Sequence, residues 1–208
     1  MAMTPAQQAA STGFWQWLSP RAHRLPELED EASPFWDAVL GHLKEIDDGL
    51  WLEISGGDDP REIVLSASGN PDLFDLVEAI AAQAPGIPGW CVIGLKPALG
   101  FDFTTTWEGV LLDPKQLWFE ALDNPALPEI VGLRVAAPGH TRARDTDYCN
   151  GVLTLLDTAL GERRAAQDIH LVEVVAPPPD PDGAGYLPMV ELADYLDWRR
   201  KRRISQAH

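Results

Sequence analysis

Cysteine is scarce: two of 208 residues, Cys91 and Cys149. That excludes a disulfide framework, and the absence of any CxxC spacing removes the common zinc and redox motifs as well. Both thiols are expected to lie buried in a reducing compartment. Basic residues are few, 16 against 32 acidic ones, for a net charge of -16. Five of the 16 fall between Arg199 and Arg203, so residues 1–198 carry 11 basic against 32 acidic groups, a balance of -21. Such a surface repels phosphate backbones and anionic lipid, so neither a nucleic-acid nor a membrane partner is expected. Long apolar runs are missing too, and the first 30 residues lack the basic start and continuous apolar stretch of a secretory signal. The expected location is the cytoplasm.

Catalytic spacings are equally absent. The histidines, His23, His42, His140, His170 and His208, form neither HxxxH nor HExxH. The stretch Ser55-Gly56-Gly57-Asp58-Asp59-Pro60 has no phosphate-loop lysine and no calcium-loop ladder of ligands, and reads as a plain turn. Ser66 and Ser68 lie outside any GxSxG elbow. A metal site assembled from distant acids, such as Asp145, Asp147, Glu162 and Asp168, is geometrically possible, but among 32 carboxylates such clusters are expected by chance. No metal site and no cofactor is expected, and no catalytic residue is assigned.

What is present is a globular composition, 45% hydrophobic, and an internal echo. Leu50-Trp51-Leu52-Glu53-Ile54 recurs as Leu117-Trp118-Phe119-Glu120-Ala121, and Glu62-Ile63-Val64 recurs as Glu129-Ile130-Val131 in the same ungapped register. Each copy reads as a hairpin followed by a helical pattern and a further strand. The expected fold is α+β: two similar ββαβ units, about residues 50–95 and 117–175, forming largely antiparallel sheet. Helices are expected on one face, with terminal helices flanking the pair. Residues 1–32 read as an N-terminal arm with a frayed start and an aromatic cluster, 33–203 as a single domain, and 204–208 as a tail.

Local signals place several elements. Ser33-Pro34 and Asn70-Pro71-Asp72 are helix starts, each with a capping side chain followed by proline. Tyr148, Val152, Leu155, Leu156, Ala159 and Leu160 make one stripe of a helix over 145–160. Trp90–Leu95 is apolar enough for a central strand. Phe101, Phe103 and Trp107 alternate with polar residues, which predicts three rings on one face of a strand. A last helix, about 188–203, carries Met189, Leu192, Ala193, Leu196 and Trp198 inward.

The ordered fragments Glu53-Ile54, Ser68-Gly69-Asn70 with Leu73-Phe74, Ala84-Pro85 and Gly89-Trp90 resemble those of a family of small uncharacterised bacterial proteins. So do Gly100-Phe101-Asp102-Phe103, Asn150-Gly151, Leu156-Asp157, Leu160-Gly161-Glu162 and Asp168-Ile169, and the resemblance covers about residues 33–200. It implies a cytoplasmic bacterial α+β protein and brings no activity, cofactor or catalytic residue with it.

Two functional classes remain. One is a non-catalytic protein-binding or regulatory module, meeting a protein partner or a second copy through Trp15, Trp17, Phe101, Phe103 and Trp107. For each ring the competing reading is burial in the core, the usual fate of such residues. The other is a small hydrolase-like enzyme with a carboxylate-lined cleft between the two repeats. Its motivation is that Glu53 and Glu120 hold equivalent repeat positions.

Overall fold

A computed structural model describes residues 3–30, 32–55 and 60–206. The chain divides into two compact units, Met1–Lys96 and Pro97–His208.

The first unit opens with α1 (Pro5–Leu18). Thr4 caps it reciprocally: its hydroxyl accepts from the Gln7 N–H at 3.2 Å while the Gln7 side chain accepts from the Thr4 N–H at 3.1 Å. The frayed start expected over residues 1–12 is therefore a capped helix from Pro5 onward. Its last turn buries Phe14, Trp15 and Leu18, and the following 3-10 segment Ser19–Glu29 buries Leu25 and Leu28. The expected arm is thus part of this unit's core. In α2 (Pro34–Lys44), the Ser33 hydroxyl accepts from the Phe35 N–H, as the Ser-Pro start predicts.

Next come β1 (Trp51–Ser55), β2 (Arg61–Ser66), α3 (Phe74–Ala81) and β3 (Trp90–Gly94). The turn read over Ser55–Pro60 lies largely outside the described residues. The sheet order is β1-β2-β3, with β1 antiparallel and β3 parallel to β2. β2 is the central strand, burying Ile63, Val64, Leu65 and Ser66 on both faces. The apolar run at Trp90, read as central, forms an edge instead, so Cys91 is exposed rather than buried.

The second unit begins with a two-stranded sheet, β4 (Thr105–Trp107) and β5 (Val110–Leu112). A second sheet has order β8-β7-β6-β9, from β6 (Trp118–Leu122), β7 (Val131–Ala136), β8 (Ile169–Val175) and β9 (Leu187–Pro188). β7 is antiparallel to β6 and parallel to β8. α4 (Asp145–Leu160) and α5 (Glu162–Asp168) lie between β7 and β8 in the chain. α4 places Val152, Leu155 and Leu156 in one cluster with Phe119, Leu133 and Val135. α6 (Leu192–Gln206) closes the unit, burying Leu192 and Leu196 but leaving Trp198 50% exposed, contrary to its expected inward placement.

Two further strand expectations fail for identifiable reasons. Glu129 and Ile130 precede β7, because the loop after β6 contains Pro125 and Pro128, and proline cannot donate to a ladder. Glu120 therefore stands opposite Arg134, whereas Glu53 stands opposite Val64, the residue that the echo aligns with Val131. The alternation Phe101–Trp107 is strand only from Thr105; Phe101 and Phe103 precede it in irregular chain. The fold is α+β with mostly antiparallel pairing, and among the described residues no helix is long and apolar enough to cross a membrane.

Candidate functional site

The five aromatic candidates separate by burial. Trp15 is 3% exposed, and its indole N–H donates to the Ile80 carbonyl at 2.9 Å. Trp17 is half-buried, stacked on Phe35 at 5.6 Å with the His42 ring at 4.3 Å and the Arg21 guanidinium 5.0 Å from its centroid. Phe101 is buried in the second unit's core and Phe103 packs half-buried against it. The expected three-ring face thus reduces to Trp107, 37% exposed.

Trp107 ends β4 in the tightest hairpin of the second unit. Glu108 and Gly109 both take positive φ, 45° and 73°, the backbone of a two-residue type I′ turn. A glutamate is strained there. Arg144 fixes the turn, donating through Nη2 to the Glu108 carbonyl at 2.6 Å and through Nε to Asp147 at 3.1 Å. Beneath the hairpin lies Gly151 of α4: a Cβ there would stand 2.7 Å from Leu112 Cδ1 and 3.1 Å from Trp107 Cβ. Glycine is what lets the hairpin lie this close to the helix. With Val110 and Leu112 buried, Leu111 between them points outward and is 67% exposed. Leu99, on the segment leading to the hairpin, is 69% exposed and is tied by its N–H to the Thr158 carbonyl of α4 at 3.0 Å. Neither leucine belongs to a motif, although the alternation buried–exposed–buried in Val110-Leu111-Leu112 is a legible signal. Asp102 and Lys115 form an exposed pair at 2.6 Å; the lysine's hydrogen bond holds the Asp102 carboxyl below its ordinary range.

A shallow groove of about 540 Å³ in the first unit is lined by Thr12, Trp15, Gln16, Ser19, Gln83 and Pro85. Its donors are largely committed to backbone. Thr12 donates to the Gln8 carbonyl, Ser19 to the Trp15 carbonyl and Gln83 to the Ala79 carbonyl. It presents no convergent set of polar groups of the kind that orients a small ligand.

The acids are also committed. Glu53 pairs with Lys96 at 2.7 Å. Glu120 pairs with Arg134 at 2.7 Å, and Arg134 reaches Glu173 on the adjacent strand at 3.1 Å, a three-strand ladder that pushes the guanidinium pKa up. Asp145 contacts His140 at 2.9 Å, Asp147 pairs with Arg144, and Asp168 receives both Arg164 and Arg200. Glu162 is wholly buried. Among the described residues no three His, Cys, Asp or Glu side chains converge as metal ligands. Cys149 is half-buried, and desolvation, then the Asp145 charge, push its thiol pKa up, against a weaker opposing effect of the Val174 backbone. A protonated thiol is a poor nucleophile.

No protein-family model, curated protein or solved structure matches the chain.

Proposed function

We propose that this protein is a non-catalytic protein-binding module whose partner meets the β4–β5 hairpin. The observation that carries the reading is the exposed pair Trp107 and Leu111 on a two-stranded sheet. Among the described residues no other strand pairs with either of its edges. Such an edge can accept an added strand, and a rigidly held tryptophan beside it supplies an anchor. Arg144 and Gly151 hold the hairpin in place before any partner arrives, which lowers the ordering cost of binding. The hydrolase-like alternative gains no observation of its own, since Glu53 and Glu120 each sit against a cation.

The architecture around this surface is best read as an internal duplication. In each unit a hairpin leads into a helix and then a strand parallel to the hairpin's second strand. After that second strand Gly69 and Gly139 share φ 77°. The N–H of the next residue closes the same turn in both, Asn70 to the Ala67 carbonyl and His140 to the Ala137 carbonyl. The cytoplasmic reading rests on two free cysteines, one of them exposed.

The test is quantitative affinity capture with the intact chain and with Leu111→Asp and Trp107→Ala, after thermal melts establish that the variants are folded. The reading expects a partner retained by the wild type and depleted at least tenfold by both variants. Equal recovery of every bound protein by all three would sink it.

A further inference from the structure

α6 carries a second exposed surface, whose chemistry changes sign along its length. Glu191, at the end of the 3-10 turn leading into the helix, is exposed; Tyr195 follows, half-buried; then come Trp198, 50% exposed, and Arg202, exposed. The steps are four, three and four residues, the spacing that keeps side chains on one seam of a helix. The seam is already ordered. The Tyr195 and Trp198 rings lie 5.7 Å apart, and the Arg202 guanidinium rests 5.2 Å from the Trp198 centroid. The adjoining face is engaged: Leu192 and Leu196 are in the core, one edge of the half-buried Tyr195 ring packs on Phe119 at 5.4 Å, Arg199 pairs with Asp123 and Arg200 with Asp168.

The order acid, aromatic, aromatic, base is self-complementary. Consider a two-fold axis crossing the helix midway between Tyr195 and Trp198. It sets Tyr195 against Trp198 of a second copy, and by the same operation Glu191 against Arg202, twice over. The four residues match because each pair shares one midpoint in the sequence. Every other antiparallel register that pairs two different members of this set puts an aromatic against a charge, and a parallel in-register pairing sets like charges together. We propose that this face of α6 is an isologous dimer interface, occupied by the same face of a second copy of this chain. The seam spans three helical turns, roughly 16 Å at 1.5 Å per residue. So short an interface supports a weak, concentration-dependent dimer that loosens as salt screens its rim charges. The inference concerns a surface other than the hairpin and does not depend on it.

The deciding experiment is sedimentation velocity on the full chain from micromolar to millimolar concentration. The wild type is expected to shift from monomer to dimer across that range. Glu191→Arg and Arg202→Glu alter exposed side chains, each placing like charges across the axis, and each alone is expected to remain monomeric. An equimolar mixture of the two variants restores opposite charges at both contacts and is expected to regain the dimer. Leu111→Asp, on the hairpin, is expected to dimerise as the wild type does. A wild type monomeric throughout, single variants that still dimerise, a mixture that stays monomeric, or dimer loss with Leu111→Asp would each overturn the proposal.

Discussion

At Gly151 two residue-scale effects oppose each other. Glycine inside a helix costs up to about 1 kcal/mol relative to alanine, so a substitution should gain that amount. Here an added Cβ meets Leu112 at 2.7 Å, which a rotamer change can relieve, and Trp107 Cβ at 3.1 Å, which is fixed by its strand. For alanine the two terms nearly cancel. Gly151→Val adds two more methyl groups to the same space along with the poor helix propensity of a branched side chain. It is expected to destabilise by about 2 kcal/mol, within the usual cost of overpacking. Urea unfolding monitored by circular dichroism reads this directly, and an unchanged midpoint would show that the hairpin does not press on α4. The thiols give a second residue-scale contrast. Cys91 is exposed, whereas Cys149 is half-buried with its pKa raised by desolvation and by Asp145. At neutral pH iodoacetamide should modify Cys91 first, and Cys91→Ser should abolish the fast phase; labelling of Cys149 at the faster rate would contradict the burial argument.

Among the secondary-structure elements, the helix starts were the most legible feature, because a cap is local chemistry. Ser33 and Asn70 sit where their sequences place them, each side chain accepting a backbone N–H two residues on. Ser33→Ala should therefore cost about 1 kcal/mol, the usual value of a lost N-cap, measurable as a lowered melting temperature. No change would mean that the cap is replaced by another acceptor. Thr4 was just as readable, with Pro5 after it and Gln7 at the reciprocal position, but the small residues around it masked the helix. Strand edges are less local. The apolar run at Trp90 predicts a buried strand, yet whether a strand is central depends on partners far away in sequence, and among the described residues β3 has one. The echo of Leu50–Ile54 at Leu117–Ala121 located β6. Two prolines in the loop after it moved β7 three residues beyond the ungapped alignment. The candidate site was legible only in part. Periodicity named Trp107, whereas the burial of Phe101 and the support from Arg144 and Gly151 come from packing against α4.

Across the whole molecule, charge dominates, and the basic end of α6 is where its two roles meet. Residues 1–198 carry -21 and residues 199–203 carry five positive charges. Repulsion within the acidic body acts at long range and is screened over roughly 8 Å at physiological salt. The contacts of Arg199 with Asp123 and of Arg200 with Asp168 are direct, so screening changes them less. Raising salt from low to physiological ionic strength should therefore raise the melting temperature, because relief of repulsion outweighs weakening of the contacts. Removing residues 199–208 takes away both the two ion pairs and the compensating charge. The truncated chain should melt lower than the intact one, with the gap widest at low salt and narrowing as salt is added. A gap independent of salt would assign the tail's effect to packing alone. The same truncation tests the exclusion of nucleic acid. A cluster of five cations on a neutral body is an ordinary polyanion site, but here each approaching phosphate also meets the field of the acidic surface. Fluorescence anisotropy with short DNA and RNA at low salt is expected to show no binding by either chain. Salt-dependent binding by the intact protein that vanishes on truncation would mean that the tail overcomes that field, and would make it a nucleic-acid contact rather than a self-docked clasp.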